Sequence, residues 1–219
     1  IKTAGWEELG IVPAVLCLLF AFMMQIDSNL INDYFDCIHG NDNSATRLGP
    51  KRACAEGWIT LPVMRNGLVV VSAVACIIGL PLIWYGGLAM IIVGAVCVLF
   101  AFLYTTFFSY RGLGDLLVLV FFGVVPVYFT WYVCIPKALQ GFNVWALTAG
   151  IGCGLVIDTL LLVNNYRDRD NDKRDGKITL VVRIGARRTE QLYLYLPTLA
   201  EIIIFSIVMF NTSKPLLAA

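Results

Sequence analysis

The sequence predicts an all-α, polytopic transmembrane helix bundle, and three observations carry that reading. The 219 residues are 59% hydrophobic and only 14% charged, with a mean hydropathy of +0.79, whereas a soluble domain carries about a quarter charged residues. Apolar runs of about 20 residues recur, the length that crosses a hydrocarbon core of about 30 Å at 1.5 Å per residue. The basic residues then choose one side of those runs.

Six spans are expected, at 9–31, 67–85, 88–108, 115–134, 144–164 and 191–210. The connections at 32–66 and 165–190 are long and polar, 109–114 and 135–143 are short, and 86–87 is a turn. Of the 16 Lys and Arg, only Lys2, Lys137 and Lys214 lie on the side opposite loops 32–66, 109–114 and 165–190. The positive-inside rule therefore directs those loops to the cytoplasm. Residue 1 then falls outside, so a further span is expected upstream, and more chain downstream of 210. Trp6, Trp84, Tyr85, Trp131, Tyr132 and Trp145 gather at the outer ends, as an interfacial aromatic belt does. Gly79, Gly94, Gly123, Gly150, Gly152 and Gly154, with Pro62, Pro81 and Pro126, suit close helix packing and local kinks. The seven cysteines are scattered without a C-x-x-C pair, so they are read as small hydrophobes rather than as a disulfide or zinc framework. No nucleic-acid partner is expected; the surroundings are membrane lipid.

Two acidic clusters stand at the cytoplasmic ends. If the first span continues past the membrane edge, Gln25, Asn29, Asn32 and Asp36 form one helical stripe with Asp33 beside it. A polar stripe on a membrane helix must face the bundle interior or a water-filled cavity. The second cluster places Asn164, Asp168 and Asp172 at steps of four, with Asn165 and Asp158 seven apart. "NDYFD" at 32–36 and "NNYRD" at 164–168 share Asn, Tyr and Asp, so two helix ends present the same chemistry. Carboxylates with amide oxygens are hard ligands suited to Mg²⁺ or Ca²⁺. Arg47, Lys51 and Arg52 follow the first cluster, and Lys177 and Arg183 the second, where they suit phosphate oxygens. Acids for a metal, bases for phosphate and an apolar chamber below together suit a diphosphate with a long hydrocarbon tail.

Three ordered motifs then resemble a known family. "NDYFDCIHGNDNSATRLGPKR" (32–52), "YTTFFSYRGLGDLLVLVFFG" (104–123) and "NNYRDRDNDKRDGKITLVVRIG" (164–185) are similar to the motifs of the UbiA-type membrane prenyltransferases. The likeness is greatest to the branch that prenylates 1,4-dihydroxy-2-naphthoate. Gly40 stands where the 4-hydroxybenzoate branch has a third acid, and Phe107 and Phe108 occupy the region of that branch's lysine.

The resemblance implies one transmembrane prenyltransferase domain over 1–219, lacking a first span and a C-terminal part, with acidic loops capping a central cavity. It implies transfer of a polyprenyl group from an allylic diphosphate to dihydroxynaphthoate with loss of CO₂, in menaquinone biosynthesis. Two Mg²⁺ ions are implied, one at Asn32, Asp33 and Asp36, the other at Asp168 and Asp172 with Asn164 and Asn165. Arg47, Lys51, Arg52, Lys177 and Arg183 would bind diphosphate. Tyr104, Tyr110 and Phe107 would face the allylic cation, and Asp115 would lie near the acceptor. His39, Asp42, Asp27 and Asp158 are further titratable residues near the site without an assigned role. Two other readings stay open: another acceptor (4-hydroxybenzoate, haem or a glycerol phosphate lipid), and a cation transporter. Transporters usually place ionisable groups near the bilayer midplane, which disfavours the second.

Overall fold

The computed structural model describes residues 10–40 and 48–217, with side chains as far as Phe210. Arg47 and Asp42, like Lys2, Trp6 and Lys214, lie outside this description. Among the described residues all regular structure is helical, and six helices are long and apolar enough to cross a membrane. These are α1 (Ile11–His39), α2 (Leu61–Gly79), α3 (Ala89–Arg111), α4 (Gly114–Cys134), α5 (Val144–Arg174) and α6 (Ala186–Phe210).

The second span starts and ends earlier than expected. Pro62 occupies the first turn of α2, where its missing N–H costs nothing and its fixed φ favours the helix. Pro81 stands just beyond the end of α2, and the stretch to Gly86 is a separate short helix, Leu82–Gly86. Leu82 joins Met90 and Val133 in a small apolar cluster there. The first helix does continue past the membrane edge, to His39, and stops at Gly40. That glycine takes φ +70° and donates its N–H to the carbonyls of Asp36 and Cys37, a left-handed cap suited to glycine.

The helix α5 runs 31 residues, about 46 Å at 1.5 Å per residue. At its start the Asn143 side chain accepts from the N–H groups of Trp145 and Ala146, at 2.9 and 3.0 Å. Its crossing with α4 depends on bare backbone. A Cβ at Gly123 would stand 2.4 Å from the Gly154 Cα, and one at Gly154 would stand 2.6 Å from the Leu119 carbonyl oxygen. Small residues spaced by four let membrane helices approach to backbone contact. At this crossing α4 widens into a π-helical turn, Leu119–Val124.

Packing also selects the buried face of α1, which differs from the predicted stripe. Gln25 and Asn29 are exposed, while Asp27, Ile31, Asp33 and Asp36 are buried. Asp27 is fully buried against α2, where the Ser72 hydroxyl lies 2.9 and 3.0 Å from its two carboxylate oxygens. A buried acid in a membrane helix needs such a partner.

At one end of the bundle the Gly10 N–H donates to the Cys134 carbonyl at 2.8 Å, and the Gln140 amide to the Tyr85 carbonyl at 2.8 Å. Trp84 is exposed there, and Trp145 packs on Phe210. At the opposite end the Ile178 N–H donates to the Tyr110 carbonyl at 3.3 Å. The polar segments after α1, α3 and α5 thus share that end.

Candidate functional site

The first motif is pinned to the rest of the molecule. Asn32 accepts a short hydrogen bond from the hydroxyl of Thr105, which is buried on α3. Asp33 accepts from the backbone N–H groups of Ala53 (3.0 Å) and Cys54 (3.3 Å). A carboxylate has about four lone-pair sites, so Asp33 anchors the loop that carries Lys51 and Arg52 and keeps acceptor capacity. Burial beside Asp33 and Cys37 pushes the Cys54 thiol up to about 11. Lys51 pairs with Glu56 at 3.2 Å. His39 sits between rings, stacked on Phe35 and edge-on to Tyr110.

The second motif pairs its charged groups locally on α5, while Tyr166 donates to Glu190 of α6 at 2.5 Å. Arg167 donates to both oxygens of Asp168, at 2.9 and 2.7 Å. Arg169 lies 4.7 Å over the Tyr166 ring, and Arg174 donates to Asn171 at 3.0 Å. Asp172 stands within the electrostatic reach of Asp168, Lys177 and, from α1, Asp36. The two motifs therefore come within electrostatic reach of each other at Asp36 and Asp172. Like charges brought near each other need a cation or a base nearby, and Lys177 is the base within reach of Asp172.

The third motif supplies the floor. The last turns of α3 open into a π-helical turn, Tyr104–Phe108, followed by a 3-10 turn, Ser109–Arg111. Such irregular turns re-aim side chains and cluster at functional sites. Gly112 takes φ +68°, and a Cβ there would stand 2.9 Å from the Ile178 carbonyl oxygen. This close approach brings the segment after α5 over the α3–α4 turn, and Arg183 donates to the Arg111 carbonyl at 2.6 Å. Beneath it lies a cavity of about 20 Å³ lined by Tyr104, Ser109, Gly114, Asp115, Asn165, Lys177 and Thr179. That is room for about one water molecule. Asp115 is 9% exposed, and both of its carboxylate oxygens, like Oδ1 of Asp158, are buried without a hydrogen-bond partner. Tyr104 stands in the field of Asp115, Asp158, Asp36 and Asp172.

The structure thus gathers Asn32, Asp33 and Asp36 on one side and Asp172, Asn165 and Lys177 on the other, with Tyr104 and Asp115 between and below. Asn164 stands on α5 beside Asn165, partly buried. Of the three rings expected to face a cation, only Tyr104 lines the cavity. Phe107 is covered by Arg111, 3.7 Å from its centroid, and Tyr110 turns toward His39. Thr105, Ser109 and Thr179 were not singled out by sequence. Their signal was a hydroxyl inside or beside a quoted motif, and Thr179 stands within the second motif itself.

Among the described residues no three His, Cys, Asp or Glu side chains converge to hold an ion. Mg²⁺ is usually bound by one or two carboxylates plus substrate phosphates and keeps several waters. Asp36 and Asp172, each buried or partly buried on a different helix and within electrostatic reach of each other, suit one or two carboxylate ligands supplemented by phosphate, whereas an all-protein Ca²⁺ cage of six to eight ligands does not fit.

The model of the "UbiA prenyltransferase family" matches residues 3–219. Over 192 residues the chain is 35% identical to a 1,4-dihydroxy-2-naphthoate octaprenyltransferase of Escherichia coli, covering 83% of this chain and 61% of that protein. It is 35% identical over 210 residues to the Mycobacterium tuberculosis protein of the same name, covering 94% and 70%. A Drosophila melanogaster "UbiA prenyltransferase domain-containing protein 1 homolog" is 30% identical over 201 residues, covering 85% and 52%. The chain spans 61% of the length of the E. coli relative. With three family motifs meeting at one end of a six-span bundle, the chain belongs to the UbiA prenyltransferase family.

Proposed function

We propose that the chain transfers a polyprenyl group from an allylic polyprenyl diphosphate to 1,4-dihydroxy-2-naphthoate, releasing CO₂ and diphosphate and giving the quinol form of demethylmenaquinone, which is oxidised to the quinone afterwards. The observation that carries this reading is that Asp36 and Lys177 both stand within electrostatic reach of Asp172, so that acids from both motifs and a base share one end of the bundle. The relatives named for the naphthoate reaction support the acceptor.

Mg²⁺ held by Asn32, Asp33 and Asp36 and by Asp168 and Asp172 would supply charge neutralisation of the leaving diphosphate. Lys177 and Arg52 hold phosphate oxygens by charge-assisted hydrogen bonds. Arg183, held by the Arg111 carbonyl, keeps the segment bearing Lys177 over the site. Cleavage of the C–O bond leaves the electron pair on diphosphate and an allylic cation on the prenyl chain. The Tyr104 ring and the acids around it stabilise that cation. The ring carbon bearing the carboxylate attacks, and the bond to the carboxylate breaks, returning its electrons to the ring as CO₂ leaves. Asp115 lies at the floor, on the acceptor's side. The positive-inside bias supports placing this end at the cytoplasmic face of a bacterial inner membrane.

Membranes carrying the chain are supplied with Mg²⁺, polyprenyl diphosphate and dihydroxynaphthoate. Demethylmenaquinone is expected, and its formation stops in Asp36→Ala and Asp168→Ala. Near-normal turnover in both variants would sink the two-metal reading. Product from 4-hydroxybenzoate, haem or a glycerol phosphate acceptor instead would reassign the acceptor.

A further inference from the structure

A second cavity, of about 380 Å³, opens between α5 and α6 at the end of the bundle that carries the polar segments. None of the acids, amides or bases assigned to the diphosphate site lines it. Leu162 and Val163 wall it on α5, and Tyr193 and Leu194 on α6. The more enclosed polar groups of the lining are already engaged. The Tyr166 hydroxyl donates to Glu190 at 2.5 Å, and the Thr189 hydroxyl to the Gly185 carbonyl at 2.9 Å. What the walls offer is hydrocarbon contact, in a space of the size that small ligands fill.

The mouth above this slot is basic. Lys173 follows Tyr166 by seven positions and Arg187 precedes Leu194 by seven, so both stand two turns along the faces that line the cavity. Both are exposed, and neither forms an ion pair among the described residues. Arg169 lies 4.7 Å over the Tyr166 ring and donates to the Tyr166 carbonyl at 2.8 Å, adding a third cation. The two acids nearby are occupied, Asp170 with Arg169 at 3.6 Å and Glu190 with Tyr166. An apolar slot under unpaired cations is complementary to a hydrocarbon chain that ends in an anion. Basic pockets between membrane helices hold anionic lipid headgroups in this way.

We infer that the cavity binds an anionic glycerophospholipid, with one acyl chain between α5 and α6 and the phosphate on Lys173 and Arg187. Charge-assisted hydrogen bonds hold the phosphate, and the chain covers the apolar walls. The lipid bridges α5 to α6 beyond the Tyr166–Glu190 bond, on the helix end that carries Asp168 and Asp172. A polyprenyl diphosphate has the same build, but Mg²⁺-bound diphosphate calls for carboxylates, and both acids here are taken. The assignment rests on neither the acceptor nor the metals of the proposed reaction.

The test titrates the full chain in detergent, without Mg²⁺ or prenyl substrates, with phosphatidylglycerol and phosphatidylcholine, and counts bound lipid by native mass spectrometry. Expected is one phosphatidylglycerol, held at least about tenfold more tightly than phosphatidylcholine, as two cations at a membrane surface provide. Glycerol 3-phosphate, a head without chains, should not displace it. The double variant Lys173→Ala/Arg187→Ala should lose the preference, and Leu194→Trp should weaken both lipids by filling the slot. Arg188→Ala, on another face of α6, should change neither. All four positions are exposed, so the variants fold as the parent does. Equal affinity for the two lipids, an equal loss in Arg188→Ala, or unchanged binding in Leu194→Trp overturns the site. Displacement by glycerol 3-phosphate overturns the role of the chain. Displacement by equimolar geranylgeranyl diphosphate alone overturns the phospholipid in favour of the prenyl donor.

Discussion

The two acidic motifs share a sequence pattern and differ in how they are held. On α1, Asn32 and Asp33 bond outward, to Thr105 of α3 and to the backbone of the following loop. At the end of α5, the arginines bond to neighbouring side chains of their own segment, Arg167 to Asp168 and Arg174 to Asn171 and Asp175. The first motif is therefore an anchor for other segments, and the second pairs its arginines within its own segment. A carboxylate engaged by backbone N–H groups is fixed in place. One engaged by a half-exposed neighbouring guanidinium is exchangeable, since such pairs add little stability. The difference predicts that α1 supplies rigidity to the site and α5 supplies the groups that rearrange when diphosphate arrives.

The hardest test of this contrast removes what the two motifs have in common. Asp36→Ala and Asp172→Ala should each lower prenyl transfer by at least about 100-fold, the cost typical of losing one charge-stabilising group. A variant keeping more than a tenth of the rate would break the pairing. Asp33→Asn comes next and separates the motifs. It forfeits one of two hydrogen bonds to buried backbone, worth about 1–3 kcal/mol, so the unfolding midpoint should fall and maleimide labelling of Cys54 should speed up. Asp168→Asn should leave Cys54 as protected as before; equal labelling in both would erase the distinction. Arg167→Ala should free Asp168 and lower the Mg²⁺ concentration for half-maximal rate by roughly threefold, since an exposed ion pair is worth up to about 1 kcal/mol. A rise instead would show that Arg167 serves the substrate directly. The smallest effect is expected for Lys51→Ala, which breaks an exposed pair with Glu56. It should leave the unfolding midpoint unchanged and raise KM for the diphosphate slightly.

Much of the site was legible before any fold was known. The α1 extension to His39, the helical placement of Asn164, Asp168 and Asp172, and the polar loops sharing one end all follow from the pattern of apolar and charged residues. The stripe on α1 was legible only in part. Helical periodicity puts Gln25 and Asn29 in register with Asn32 and Asp36, yet α2 packs against the other side, and Ser72 makes Asp27 the buried acid. The family resemblance implies that Phe107 and Tyr110, like Tyr104, face a cation. The π-helical turn at Tyr104–Phe108 advances the register there, sending Phe107 to Arg111 and Tyr110 to His39. A one-residue widening of a helix leaves no mark in hydrophobic periodicity, because the residues on either side remain apolar.

By itself the sequence determined that six segments are long and apolar enough to cross a membrane, which loops are basic, and which residues match the family's motifs. Length, hydropathy and charge are properties of segments, and segments in lipid have few alternatives to a helix. The tertiary structure alone decided that Asp36 comes within electrostatic reach of Asp172, that Asp33 serves the loop, and that Asp115 lies bare in a small cavity. Those are contacts between residues far apart in the chain. They depend on which helix faces lie together, and at the α4–α5 crossing that was set by Gly123, Gly150 and Gly154 letting two backbones touch.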